Sequence, residues 1–95
     1  MAKQQQISDY KRAFIEQGYE ESEAHVFAMR LSVMTWIEEF VRAKGWGQTE
    51  TARRMSTTQP RVSQIRKGRW ENFTLDTLLV LATRIGLRIE LKLVR

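Results

Sequence analysis

Residues 48–68 read QTETARRMSTTQPRVSQIRKG, and this segment predicts two short helices joined by a tight turn. The first predicted helix spans residues 48–55, and residues 56–57 form the turn. The hydroxyl of Thr58 can cap the second helix by accepting a hydrogen bond from a backbone N–H of its first turn. Pro60 falls in that first turn, where a missing N–H costs nothing. Gly68 is expected to end the helix.

The apolar residues of this segment have the spacing of a helix-turn-helix. Ala52 is small and lets the two helices approach closely, and Met55 also faces inward. Val62 and Ile65 follow Ala52 by ten and thirteen positions and share one face of the second helix. This is the helix-turn-helix pattern. An αα-hairpin inside an ordinary helical domain is the alternative interpretation.

The outer face of the second helix carries side chains suited to DNA. Amides and a guanidinium can make paired hydrogen bonds to base edges, and cations and helix N-termini can bind phosphate. The candidate base-reading residues are Gln59, Arg61, Ser63 and Gln64, and the candidate DNA-backbone residues are Gln48, Thr57, Thr58, Lys67 and Arg69.

Positive charge is concentrated around the same segment. Residues 42–70 contain eight basic residues and only one acidic residue, Glu50, for a net charge of +7, whereas residues 1–41 carry −3. The whole chain is at +5. Because phosphate neutralisation supplies most non-specific DNA affinity, a basic block that coincides with the motif favours a nucleic-acid partner.

Composition limits the remaining classes. Ninety-five residues suit a single domain, and the chain has no cysteine and one histidine. There is no Gly-rich phosphate loop and no inward pair of carboxylates, so we expect no catalytic residues, no metal site and no cofactor. The sequence has no apolar run of about 20 residues and no signal-peptide core. We therefore expect a cytoplasmic protein without a membrane partner.

The chain before the motif is predicted to have two parts. Residues 1–21 form a polar and acidic segment that we expect to be partly flexible, and residues 22–95 form the DNA-binding domain with a dimerisation strand. A long scaffold helix is expected to run to Lys44 and stop at Gly45. Three aromatic residues of the first part are either core residues or contacts for a partner protein, and these are Tyr10, Phe14 and Tyr19.

The last segment has the alternation of a β-strand. Four apolar residues alternate with Arg88, Glu90, Lys92 and Val94. A lone strand leaves unpaired backbone groups, and its simplest partner is the same strand of a second copy, antiparallel about a two-fold axis. A strand paired near the N-terminus, or a helical turn, is the alternative. The apolar residues of the predicted dimer strand are Leu87, Ile89, Leu91 and Leu93.

The motif resembles the lambda-repressor-like (XRE) helix-turn-helix family. Ser56 and Thr51 depart from the family pattern, which usually has Gly and an aliphatic residue there. The resemblance implies a mainly α fold, a lambda-repressor-like helical bundle, to which the C-terminal strand would add pairing across a homodimer. The matching positions are Gln48, Ala52, Met55, Thr57 to Gln59, Val62, Ile65 and Gly68.

A larger part of the chain looks like the HigA-type antitoxins. The matching segments are residues 18–19, 59–63, 73–78 and 87–94. This resemblance implies the antitoxin of a type II toxin-antitoxin module, a repressor that binds a palindromic operator in double-stranded DNA as a homodimer. It also implies a RelE-like toxin as a protein partner. Two alternatives are a stand-alone prophage-type XRE regulator and a toxin-capturing inhibitor whose DNA binding is incidental.

Overall fold

The computed structural model describes residues 2–95 and is mainly helical, as predicted. No helix in this part of the chain is both long enough and apolar enough to cross a membrane. The α-helices are α1 (Ala2–Glu16), α2 (Glu21–Lys44), α3 (Gln48–Met55), α4 (Gln59–Arg66) and α5 (Leu75–Arg84), and one 3₁₀ turn at Trp70–Asn72 precedes α5.

Helix α2 is the scaffold on which the other helices pack. It ends where the sequence predicts, because Gly45 takes the left-handed conformation (φ 73°) and its N–H donates to the carbonyl of Arg42. One face of α2 joins α3, α4 and α5 around a single apolar core, which fixes the helix-turn-helix on the scaffold. The buried residues of this core are Val33, Met34, Ile37, Val41, Ala52, Met55, Val62, Ile65, Phe73, Leu78, Leu81, Ala82 and Ile85.

Helix α1 packs against another side of α2. The indole N–H of Trp36 donates to the Gln6 side-chain oxygen at 2.6 Å, and the Lys3 ammonium lies 2.8 Å from a Glu39 carboxylate oxygen. At the other end of α1, Phe14 is buried. The polar start of the chain is thus helical from Ala2 onward. The partial flexibility expected there stays a prediction.

The C-terminal segment corrects one expectation. After α5, residues 87–95 form neither helix nor β-ladder, and the part of the chain that the structure describes contains no strand. Leu87 and Ile89 pack against the core, but Leu91 and Leu93 are exposed. The physical reason is that a ladder needs a second strand, and within residues 2–95 no segment supplies one. Pairing across a homodimer is therefore not supported by the fold of one chain.

Candidate nucleic-acid interface

The turn between α3 and α4 is held by specific backbone bonds. Ser56 takes the left-handed conformation (φ 56°, ψ 46°), and the N–H of Thr57 donates to the carbonyl of Ala52 at 2.9 Å. From α5, a guanidinium N–H of Arg84 donates to the carbonyl of Met55 at 3.0 Å. That carbonyl belongs to the last residue of α3, so Arg84 satisfies one of the groups that a helix end leaves unpaired.

Thr51 fits a position where the resembling family has an aliphatic residue. Its side chain is buried, and its hydroxyl donates to the carbonyl of Gly47 at 2.8 Å. The hydrogen bond offsets the cost of burying a polar group, and the methyl group contributes to packing. The departure therefore leaves the helix pair intact.

Helix α4 begins as the sequence predicts. The Thr58 hydroxyl accepts from the backbone N–H of Arg61, and Pro60 lies in the first turn. The side-chain amide of Gln48, at the start of α3, donates to the carbonyl of Gln59 at 3.1 Å. This bond ties the N-terminus of α3 to the N-terminus of α4, so one amide hydrogen of Gln48 is already used inside the protein.

The predicted base-reading residues lie on α4, and its buried face is elsewhere. Val62 and Ile65 point into the core, and the candidate residues alternate with them around the helix. The exposed or half-buried positions on this surface are Gln59, Arg61, Ser63 and Gln64 on α4, with Thr57 before it and Lys67 and Arg69 after it. We refer to these seven residues and Gln48 as the α4 face.

Arg61 is held over an aromatic ring, a contact that the sequence analysis missed. Its guanidinium carbon lies 4.5 Å from the ring centroid of Phe73. Phe73 is itself only 3% exposed, so the ring is a fixed platform. Cation–π contact restricts the guanidinium without using its N–H groups, which stay available for hydrogen bonds.

Part of the basic block is neutralised inside the protein. Glu50 on α3 accepts hydrogen bonds from both Arg53 and Arg54, and these bonds hold the pKa of the Glu50 carboxyl below its usual value. Glu38 on α2 likewise pairs with Arg42 at 3.1 Å and with Arg66 at 3.4 Å. The charge count of the sequence therefore overstates the positive charge that these residues offer to a ligand.

The remaining cations of the block are mostly on the α4 face. Four of its eight basic residues have no carboxylate partner within residues 2–95. Lys44 lies over the Phe40 ring, and the other three are Arg61, Lys67 and Arg69. These three cations surround the amides of Gln59 and Gln64, an arrangement that suits a polyanion with hydrogen-bonding edges.

The predicted contacts for a protein partner differ in accessibility. The Tyr10 hydroxyl is 3.1 Å from the Thr35 hydroxyl, and Phe14 is 5% exposed, so both belong to the packing of α1 on α2. Tyr19 is 38% exposed and is the most accessible of the three. Its ring joins Phe14, Phe27 and Trp70 in an aromatic cluster. Sequence spacing could not separate these cases, because Phe27 and Trp70 come from distant parts of the chain.

No metal-binding cluster of three or more His, Cys, Asp or Glu side chains occurs within residues 2–95. His25, the one histidine, lies on α2. The chemistry that the α4 face offers is thus hydrogen bonding and positive charge.

A comparison with protein families agrees with this geometry. A family model described as a helix-turn-helix domain matches residues 15–94. Neither a curated protein nor a solved structure matches the chain. The matched range contains α2 to α5 and the C-terminal segment, and it leaves out nearly all of α1.

Proposed function

This chain belongs to the helix-turn-helix domain family, and from that premise we propose that it is a sequence-specific DNA-binding transcriptional repressor. The observation that carries the proposal is the α4 face. It combines two amides and three cations without carboxylate partners, next to a buried face that anchors the helix. A helix of this kind docks in the major groove, where base pairs present distinct hydrogen-bonding patterns.

We assign the reading of bases to α4. Arg61 would bind guanine through paired hydrogen bonds, and Gln59 and Gln64 would bind adenine, with Ser63 in a secondary role. Gln48, with the free N–H groups at the start of α3, would bind phosphate together with the residues that flank α4. The flanking residues with this role are Thr57, Thr58, Lys67 and Arg69.

We further propose that the repressor acts as a homodimer. Two recognition helices about 34 Å apart would read two half-sites one turn apart on a palindromic operator. Doubling the interface raises both affinity and specificity, since a single module of this size makes few base contacts. Occupancy of a promoter by such a dimer blocks transcription.

The test is a titration into labelled DNA. The full chain is added to a duplex with the DNA from upstream of its own gene, and to a scrambled duplex, at two salt concentrations. We expect the native duplex to bind at least about 10³-fold tighter, with both affinities falling steeply as salt rises. Equal, weak and salt-sensitive binding to both duplexes would refute a sequence-specific repressor.

We also propose that this repressor is an antitoxin that captures a RelE-like toxin. Support comes from the resemblance to HigA-type antitoxins and from acidic charge at the junction of α1 and α2. Such toxins are basic, and charge complementarity speeds association. Tyr19 lies at the same junction and offers a partly exposed ring. The exposed carboxylates at this junction are those of Glu16, Glu20, Glu21 and Glu23.

The two activities can be separated by mutation. Arg61→Ala is expected to abolish specific DNA binding and leave capture of the toxin intact, because Arg61 lies on α4 and the acidic junction precedes α2. The partner for the test is a small basic protein encoded beside this gene, co-expressed with each variant and scored by growth. If no such protein is neutralised, the antitoxin role fails and the stand-alone regulator remains.

A further inference from the structure

An apolar groove lies beside the C-terminal segment. Its volume is about 710 Å³, and it runs between α1, α2, α5 and residues 89–94. Apolar side chains from three helices line it, among them Ile7, Met29, Val33 and Leu79. A surface of this kind gains free energy when another apolar surface covers it.

The C-terminal segment starts in the core and ends in water. Leu87 and Ile89 are half-buried and pack against the core. Leu91 and Leu93 continue the same alternation and border the groove, yet they are 80% and 85% exposed. The apolar row therefore extends past the point where its own chain can bury it.

We infer that the groove is closed by the C-terminal segments of two copies, paired antiparallel with Leu91 on the two-fold axis. The inference rests on the homodimer of the proposed function and specifies its register. The ribbon formed in this way has one apolar face, and that face covers the groove of each copy. Leu91 and Leu93 of both copies are buried as a result.

Charge selects this register. With the axis at Leu91, Ile89 faces the partner subunit's Leu93, and Glu90 faces the partner's Lys92. The second pair occurs twice by symmetry, and opposite charges directly across a ladder stabilise it. All paired residues lie in 87–95, which are free of helix.

Neighbouring registers are worse for physical reasons. An axis at Glu90 places Glu90 against itself, and an axis at Lys92 does the same for Lys92; like charges directly opposite destabilise a ladder. An axis at Ile89 restores opposite charges but pairs Leu93 with Ile85, which is buried at the end of α5. Keeping both apolar rows on one face excludes a shift of a single residue in the pairing.

Disulfide trapping tests the register, because the chain contains no cysteine of its own. Leu91→Cys places two sulfurs across the axis, within the short Cβ separation that a disulfide needs, so mild oxidation should cross-link nearly all of the protein. Leu93→Cys should not cross-link to itself, since the two copies lie roughly 13 Å apart along the ribbon. Thr49→Cys, on exposed α3, is the control for random collision.

A mixed oxidation adds a positive control for the same geometry. Ile89→Cys alone should stay uncrosslinked, but an equimolar mixture of Ile89→Cys and Leu93→Cys chains should form mixed disulfides. Cross-linking of Ile89→Cys to itself would move the axis and overturn the register. Failure of Leu91→Cys to cross-link above the Thr49→Cys control would overturn the inference and leave the groove to another occupant.

A charge swap tests the pairing without cysteine. Glu90→Lys and Lys92→Glu are each expected to weaken dimerisation about tenfold in sedimentation equilibrium, and the double variant should restore it. Circular dichroism confirms that each variant is folded. No DNA is present, so loss of the dimer and loss of operator binding are scored separately. Additive weakening in the double variant would contradict the pairing.

Discussion

The guanidinium of Arg61 lies over the ring of Phe73 at 4.5 Å, which links the recognition helix to the segment just before α5. The ring belongs to the core, so it cannot follow the guanidinium if that group moves. A side chain with this support is oriented before DNA arrives and loses less freedom on binding. Arg61 is therefore the residue of the α4 face on which we expect specificity to depend most.

The first prediction concerns Arg61 and a matched arginine on the same helix. Arg61→Ala should weaken binding to the operator by about 1–3 kcal/mol and relax specificity at one base pair. Arg66→Ala is the control, because Arg66 is paired with Glu38 and should contribute little to base reading. The measurement is the ratio of native to scrambled affinity for each variant. Equal ratios for the two variants would contradict the assigned role of Arg61.

The second prediction concerns the turn. Ser56 is in the left-handed region (φ 56°), which costs a residue with a Cβ about 1 kcal/mol relative to glycine. Ser56→Gly should raise the free energy of unfolding by up to that amount, measured by urea denaturation. Ser56→Val should lower it, because a β-branched residue fits this region least well. A glycine variant less stable than the natural chain would show that the serine side chain has a stabilising role of its own.

The third prediction is a pH dependence from Glu50. Hydrogen bonds from Arg53 and Arg54 lower the pKa of the Glu50 carboxyl below the model value of 4.5, so ionised Glu50 stabilises the folded state. This contribution is complete above the unfolded pKa and is lost as the pH falls through the folded one. Glu50→Gln should thus be less stable than the natural chain at pH 7, and the difference should shrink below about pH 4.5. A difference that is constant from pH 3 to pH 7 would contradict the ion-pair origin.

Local features of the helix-turn-helix could be predicted from the sequence. The cap at Thr58, the proline in the first turn and the end of α2 at Gly45 depend on neighbouring residues only, and all three are confirmed. The turn at Ser56 was placed correctly for the same reason, even though serine is a less common residue there.

Contacts between distant residues could not be predicted in this way. The bond from Arg84 to the Met55 carbonyl joins residues 29 positions apart, and no periodicity of the sequence points to it. The charge count failed for a related reason, since Glu38 lies on α2 and reaches Arg66 only after folding. The C-terminal alternation was read as a strand, but a ladder depends on a partner that one chain does not supply.

The last prediction concerns α1, which lies almost wholly outside the range that the family model matches. Phe14 is 5% exposed and lies edge-on to Trp70 at 5.1 Å, so it ties α1 to the turn after the recognition helix. Its neighbour Ile15 is 44% exposed. Phe14→Ala should therefore cost about 3 kcal/mol of unfolding free energy, whereas Ile15→Ala should cost well under half of that.

Hydrogen exchange on the same two variants separates two ways of losing this stability. If α1 is an integral part of the domain, Phe14→Ala lowers protection in α1 and in residues 70–73 together, because the Trp70 ring loses its neighbour. The Ile15→Ala variant should keep the protection pattern of the natural chain. Equal costs for the two variants, with low protection of α1 in the natural chain, would instead identify α1 as the flexible segment expected from its polar sequence.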